Sequence, residues 1–343
     1  MSTSDSPWPA PPLSVAVEIA DAGTRLSALV GVAPGGRHIQ ERRATPLSAD
    51  DAHHTLADFA LRALRDAGLL DTPERQGIPA PVSLGVALRG RVSLATGVVH
   101  SAPGLPDWVE LPLGGRLKEL FAVVTVENAT NAAAVAECAL GAAAGSENAL
   151  YVAMGRQITS AYVVGGEVVQ GAHDLAGQIG HWRVAASGPR CACGAEGHLD
   201  PVASAQSIVR AMIGRASDSD TSLDAVLRIT NRRAEALTAA QVVHLADEGD
   251  PIAAAVIGAA VDGLASALGN LTAVLDPAII VLDGPFAGQW DSLIARIQER
   301  LREWTRGFVA PVTVVPSRLG TRAVLEGARL LAERRAQWAR PAG

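Results

Sequence analysis

Apolar residues come in short alternating or continuous blocks through the first half of the chain and recur at helical spacing through the second. Residues 13–19 read as a buried strand, 20–23 as a turn and 24–30 as the returning strand. Residues 37–45 read as a third strand. Ser48 is placed to cap an amphipathic helix that carries Leu56, Phe59, Ala60 and Leu64 on one face and extends to Leu70. Residues 82–88 are almost wholly apolar, as a central strand requires. A further strand is expected over 122–127, and Asn128 then opens an alanine-rich helix running to about residue 144.

The second half follows the same grammar. Residues 150–154 form a strand, and Gly165-Gly166 closes a hairpin between 161–164 and 167–169. Helices are predicted over 203–214, 222–229, 239–248 and 251–275, then a buried strand over 278–282. An amphipathic helix over 289–305, a strand over 312–315 and a last helix over 319–338 complete the chain. Arg334, Arg335 and Arg340 read as that helix's solvated end.

At 343 residues and 48% apolar content, the chain can bury two cores. A net charge of −6 argues against a polyanion as the main partner. Three cysteines, Cys138, Cys191 and Cys193, make a poor disulfide framework, so a reducing cytoplasm fits. Residues 1–12 are polar and proline-rich, without the character of a signal peptide, and are expected to be disordered. No stretch is read as membrane-spanning.

The chemistry concentrates between Gln178 and Ser204. His181, Cys191, Cys193 and His198 lie close in sequence, and Gly194 and Gly197 permit tight turns between them. Two thiolates and two imidazoles make a tetrahedral zinc site with every position filled, hence a structural one, with its loop at 181–198.

This segment resembles the signature of the ROK family of bacterial sugar kinases and sugar-responsive repressors, which reads Gly-Glu-x-Gly-His and then Cys-x-Cys-Gly-x-x-Gly-Cys-Leu-Glu. The resemblance runs from about residue 13 to 332. It implies an α/β, two-lobed, actin-like ATPase (ribonuclease H-like) fold. The N-terminal lobe would be residues 13–127, completed by the helix at 319–338, and the C-terminal lobe residues 128–318. It also implies a homodimer and a sugar held in the interlobe cleft.

The departures are informative. Gln178 and Asp200 stand for the two glutamates that accept sugar hydroxyls, and His198 for the third cysteine. The family's Pro-Gly-Pro-Val-Asp loop has become Arg89-Gly90-Arg91-Val92-Ser93, and Gly104 replaces an asparagine in the next sugar-facing loop. Where ROK kinases read Glu-Asn-Asp-Ala-Asn, with the aspartate as general base, this chain reads Glu127-Asn128-Ala129-Thr130-Asn131. Losing a general base typically costs about 10² to 10⁴ in rate.

Three phosphate or nucleotide loops have also lost glycines: 20–23, 156–161 and Asp283-Gly284-Pro285. The resemblance therefore implies a non-catalytic, sugar-binding regulatory protein with Asn128, Gln178, His181 and Asp200 as polar contacts, and little expectation of ATP or magnesium. The competing expectation is an ATP-dependent hexose or cyclitol kinase with rearranged catalytic groups, in which Asp174 or Asp107 replaces the base. A remodelled enzyme or auxiliary subunit is the third. ROK repressors read DNA through a helix-turn-helix placed ahead of the sugar domain; without an upstream module, direct DNA binding is not expected.

Overall fold

The computed structural model describes residues 13–20, 23, 25–30, 37–42, 47–70, 82–217, 219–306 and 311–338. Residues 1–12, Asp21, Ala22 and Thr24 of the first turn, the end of the third predicted strand and Arg340 lie outside the described residues.

The chain forms two compact units. One comprises Met1–Ala136, Gln170–Asp174 and Thr321–Gly343; the other comprises Glu137–Val169 and Leu175–Gly320.

In the first unit the strands are β1 (Ser14–Ala20), β2 (Arg25–Val30), β3 (Arg37–Arg42), β4 (Ser83–Leu88) and β7 (Val123–Asn128), with a small ribbon of β5 (Arg91–Val92) and β6 (Val99–Ser101). The sheet order is β3-β2-β1-β4-β7, antiparallel in its first two pairings and parallel in the last two. The helices are α1 (Ala52–Asp66), α2 (Leu113–Lys118), α3 (Ala129–Leu140), whose end belongs to the second unit, and the C-terminal α10 (Ala323–Trp338).

Side-chain size sorts the sheet's two faces. Val15, Val17, Ile19, Leu84, Val86 and Leu88 pack with Leu56, Phe59, Ala60 and Leu64 of α1 in one core. The alternate face carries small residues and meets α10. A Cβ on Gly85 would sit 2.0 Å from the Ala328 carbonyl oxygen, so only glycine lets α10 lie that close. Ser48 does not cap α1: its hydroxyl accepts from the Asp51 N–H in the preceding turn, and the helix starts at Ala52.

The second unit repeats the topology. Its strands are β8 (Asn148–Met154), β9 (Ile158–Val164), β10 (Glu167–Val168), β11 (Ile279–Asp283) and β12 (Thr313–Pro316). Their order is β10-β9-β8-β11-β12, again antiparallel then parallel. The same five-strand order twice is the ribonuclease H-like repeat of an actin-like fold.

Its helices are α4 (Asp200–Ala203), α5 (Ala205–Ala216), α6 (Asp220–Ile229), α7 (Ala239–Asp247), α8 (Pro251–Leu275) and α9 (Trp290–Trp304). Contrary to the sequence expectation, α8 is long and apolar enough to cross a bilayer by length and composition. It is a core helix instead: 61% of its apolar window is buried, and it packs against α4, α5, α7 and α9. The buried Glu137 accepts hydrogen bonds from Ser317 Oγ at 2.6 Å, Leu319 N at 2.9 Å and Ala142 N at 2.6 Å, which fixes the chain leaving β12.

Candidate functional site

Polar chemistry gathers at two places, one in each unit. In the second, a short turn at Ile179–His181 packs on β9 and α4. Two glycines permit this. Gly177 has φ +86° and a Cβ there would lie 1.8 Å from the Ser160 carbonyl oxygen, while one on Gly180 would lie 2.5 Å from that of Ile158. The seat is sealed by Ser160 N–H donating to the Gly177 carbonyl at 2.8 Å.

Gly180 also lies against Asp200, so Gln178, His181 and Asp200 gather at one turn. Asp200 is not simply an available acceptor, because its Oδ1 takes the Ile158 N–H at 2.6 Å and thereby anchors the start of β9.

From this turn the chain makes a loop without long regular structure. It is tied by Leu199 N–H to the Trp182 carbonyl, Cys191 N–H to Ala195 and Gly194 N–H to Cys191. Gly194 and Gly197 both have positive φ, +94° and +74°, so the two turns predicted for glycine are present. The loop brings His181, Cys191, Cys193 and His198 together, with one ligand atom of each within 4.8 Å of all the others. Cys191 Sγ is 3.6 Å from His181 Nδ1, and Cys193 Sγ is 3.5 Å from His198 Nδ1. Burial raises the Cys191 thiol pKa, whereas Cys193 and His181 face solvent. This is a His/Cys cluster competent to hold a metal ion.

In the first unit the site is the β7–α3 junction. Glu127 is 1% exposed. It accepts from Asn128 N at 2.6 Å, Asn131 Nδ2 at 3.1 Å and Gln170 Nε2 at 2.6 Å. Burial pushes its carboxyl up to about 7, opposed by those hydrogen bonds.

Asn128 caps α3, its Oδ1 accepting from Thr130 N at 2.8 Å, and its Nδ2 donates to the Gly90 carbonyl at 2.6 Å. Ala129 begins the helix, and no acidic residue lies in the first turn.

A second feature there has no sequence signal. In the β5–β6 ribbon Arg91 pairs with Ser101 and Val92 with Val99, which leaves His100 as the extra residue of a bulge. Its Nδ1 meets Glu110 at 2.8 Å and its Nε2 faces Asp174 at 3.5 Å. Both carboxylates sit on left-handed backbone, with φ +49° and +54°. Asp107 is engaged elsewhere, accepting from Ala49 N at 2.7 Å.

At the end of β11 an aspartate is held by a tyrosine of the neighbouring strand. Asp283 Oδ2 accepts from Tyr151 Oη at 2.8 Å, and burial raises both pKa values. Gln170, His100 and Glu110 escaped sequence reasoning because their roles depend on neighbours distant in the chain.

Comparison with known proteins agrees with this architecture. A kanosamine kinase from Amycolatopsis mediterranei is 30% identical over 261 residues, 76% of this chain and 79% of that protein. The DNA-binding transcriptional repressor Mlc of Escherichia coli is 24% identical over 255 residues, 73% of this chain and 60% of that one. The crystal structure of a ROK hexokinase from Thermus thermophilus superposes with a TM-score of 0.74 at 27% identity, covering 95% of this chain and all of that one. The model of the ROK family matches residues 37–335, and with the doubled five-strand sheet this makes the chain a member of the ROK family.

Proposed function

We propose that this chain binds a sugar or sugar derivative without transferring phosphate to it, and acts as a cytoplasmic, homodimeric regulatory member of its family. The observation that carries this reading is the start of α3, whose first turn holds no carboxylate and where Ala129 stands at the position that the resemblance assigns to the kinases' general base. Glu127 does not replace it, because three donors hold that carboxylate inside the protein. A catalytic base must reach the proton it removes. Asp283, held by Tyr151 where kinases place paired glycines, supports the same reading.

The polar contacts offered to the sugar are His181, Gln178 and the remaining valence of Asp200; Asn128, expected among them, spends its side chain on Thr130 N and the Gly90 carbonyl. We assign the metal as structural zinc. Bonds of about 2.3 Å to sulfur and about 2.0–2.1 Å to nitrogen at the tetrahedral angle put sulfur and nitrogen about 3.5–3.6 Å apart. The two measured separations are 3.6 and 3.5 Å. Bound there, zinc would supply no reactive position, only cross-links within the loop. His181 would ligate through Nδ1, leaving Nε2–H as a fixed hydrogen-bond donor toward a hydroxyl.

Similarity to sugar kinases over most of the chain supports a second reading, ATP-dependent phosphorylation with Asp174 as the replacement base. One experiment separates the two. Hexoses and amino sugars are titrated calorimetrically, each with and without magnesium ATP. Saturable sugar binding indifferent to ATP supports the first; sustained heat of turnover, abolished by Asp174→Asn, establishes the second.

A further inference from the structure

The sugar-binding reading leaves open what kind of sugar, and the turn at Arg89-Gly90-Arg91 bears on it. Arg91 sits in β5 with its Nε buried and without an acceptor among the described residues. No carboxylate pairs with it among the described residues. Glu110 and Asp174, beside the same ribbon, are instead taken by His100. Guanidinium is permanently charged, and its Nε edge is built for two-point contact with an oxyanion. A buried donor of that kind without a partner is what an absent acceptor leaves behind.

The turn that carries Arg91 is held rigidly. A Cβ on Gly90 would lie 2.3 Å from the Ser101 carbonyl oxygen, so the turn is tight against β6. Asn128, the cap of α3, holds the Gly90 carbonyl at 2.6 Å and thus fixes the turn beside a helix start. The first turn of that helix adds no carboxylate of its own, and the one at its start, Glu127, is buried and held by three donors.

We infer that the Arg89-Gly90-Arg91 turn receives an oxyanion, and that the sugar this chain binds carries a phosphate or a carboxylate. The inference rests on the sugar-binding reading for the ligand's remainder, while the anion site stands on Arg91 alone.

The test titrates the full chain with glucose, glucose 6-phosphate, glucuronate and inorganic phosphate, then repeats the series on Arg91→Gln and Arg91→Lys. At least one charged sugar should bind about tenfold or more tighter than glucose, in keeping with a charge-assisted bidentate contact. The preference should shrink as salt rises. It should vanish in Arg91→Gln and survive in part in Arg91→Lys, with both variants folded by circular dichroism.

Which charged sugar wins tells phosphate from carboxylate. Glucose binding with no gain from charge overturns the inference and leaves the sugar reading standing. Inorganic phosphate binding lost in Arg91→Gln, with no sugar bound, upholds the anion site and ends the sugar reading. An anion preference that persists in Arg91→Gln, or silence from every anion, overturns the inference.

Discussion

The metal-competent loop of the second unit and the β7–α3 junction of the first both concentrate polar side chains, but they are held together in opposite ways. At the junction every major group has a protein partner: Glu127 has three donors, and Asn128 spends its side chain on Thr130 N and Gly90 O. The strand, the helix and the segment around Gln170 hold it without help. In the loop, the four ligand side chains converge to within 4.8 Å with little regular structure around them, and two of them face solvent. Two thiols and two imidazoles crowded together gain little from one another; a metal makes the arrangement favourable. The junction is therefore held by its own hydrogen bonds, while the loop brings together four side chains competent to hold a metal ion.

The largest way to break this contrast is to remove the metal. Cys191→Ser with Cys193→Ser, or a strong chelator, should eliminate bound zinc and lower the unfolding midpoint more than any substitution below. Structural zinc contributes on the order of 10 kcal/mol in small domains where it drives folding. Elemental analysis alongside differential scanning calorimetry checks this, and a metal-free wild-type protein with an unchanged midpoint would sink it.

Next comes the seat of the turn. Gly177→Ala forces a Cβ to 1.8 Å from a backbone oxygen at φ +86°, and should cost about 3 kcal/mol or more by denaturant unfolding. A loss below about 1 kcal/mol would mean that the turn is not seated on β9.

The junction should instead reveal itself through pH. The native Glu127 pKa of about 7 lies above its unfolded value of 4.5, so the folded state binds the extra proton between those values. Its contribution is fully present below about pH 4.5, declines as pH rises through 7 and is gone above. Each tenfold difference in proton affinity between the folded and unfolded states is worth about 1.4 kcal/mol, which makes the whole effect on the order of 3 kcal/mol. Glu127→Gln should flatten that part of the stability–pH curve; an unaltered slope would exclude Glu127 as its source.

Asn128→Ala removes a helix cap and the Gly90 tether, and should cost about 1–2 kcal/mol by denaturant unfolding. Smallest of all, Ala129→Asp introduces a carboxylate yet, on the proposed non-catalytic reading, should yield no sugar phosphorylation in a coupled ADP assay. Measurable turnover would show that the missing base was the only defect.

The two regions also differed in how far they could be read in advance. The His181, Cys191, Cys193 and His198 cluster was visible because its members share one short loop, where local turns bring them together. The strands, the long helix α8 and the family signature were legible for the same reason: period and spacing are local properties.

Asp200 was expected as a sugar contact and not as the anchor of Ile158, since that partner lies 42 residues away. Ser48 carried the right chemistry for a helix cap, but the neighbouring Asp51 took its hydroxyl and the helix began later. The apolar run of α8 was not expected to be long and apolar enough to cross a bilayer; it is, and the packing of α4, α5, α7 and α9 around it shows it to be a core helix.

By itself, then, the sequence determined the α/β repeat, the absence of a carboxylate from the first turn of α3 and the metal-competent loop. Each rests on residue identity or on contacts a few positions apart. Only the tertiary structure decided that Glu127 is sequestered by Gln170, 43 residues away, that His100 is clasped by two carboxylates on left-handed backbone, and that Arg91 has a buried donor without an acceptor. Whether a polar group is satisfied depends on which distant partners arrive beside it, and a periodicity or a motif carries no record of that.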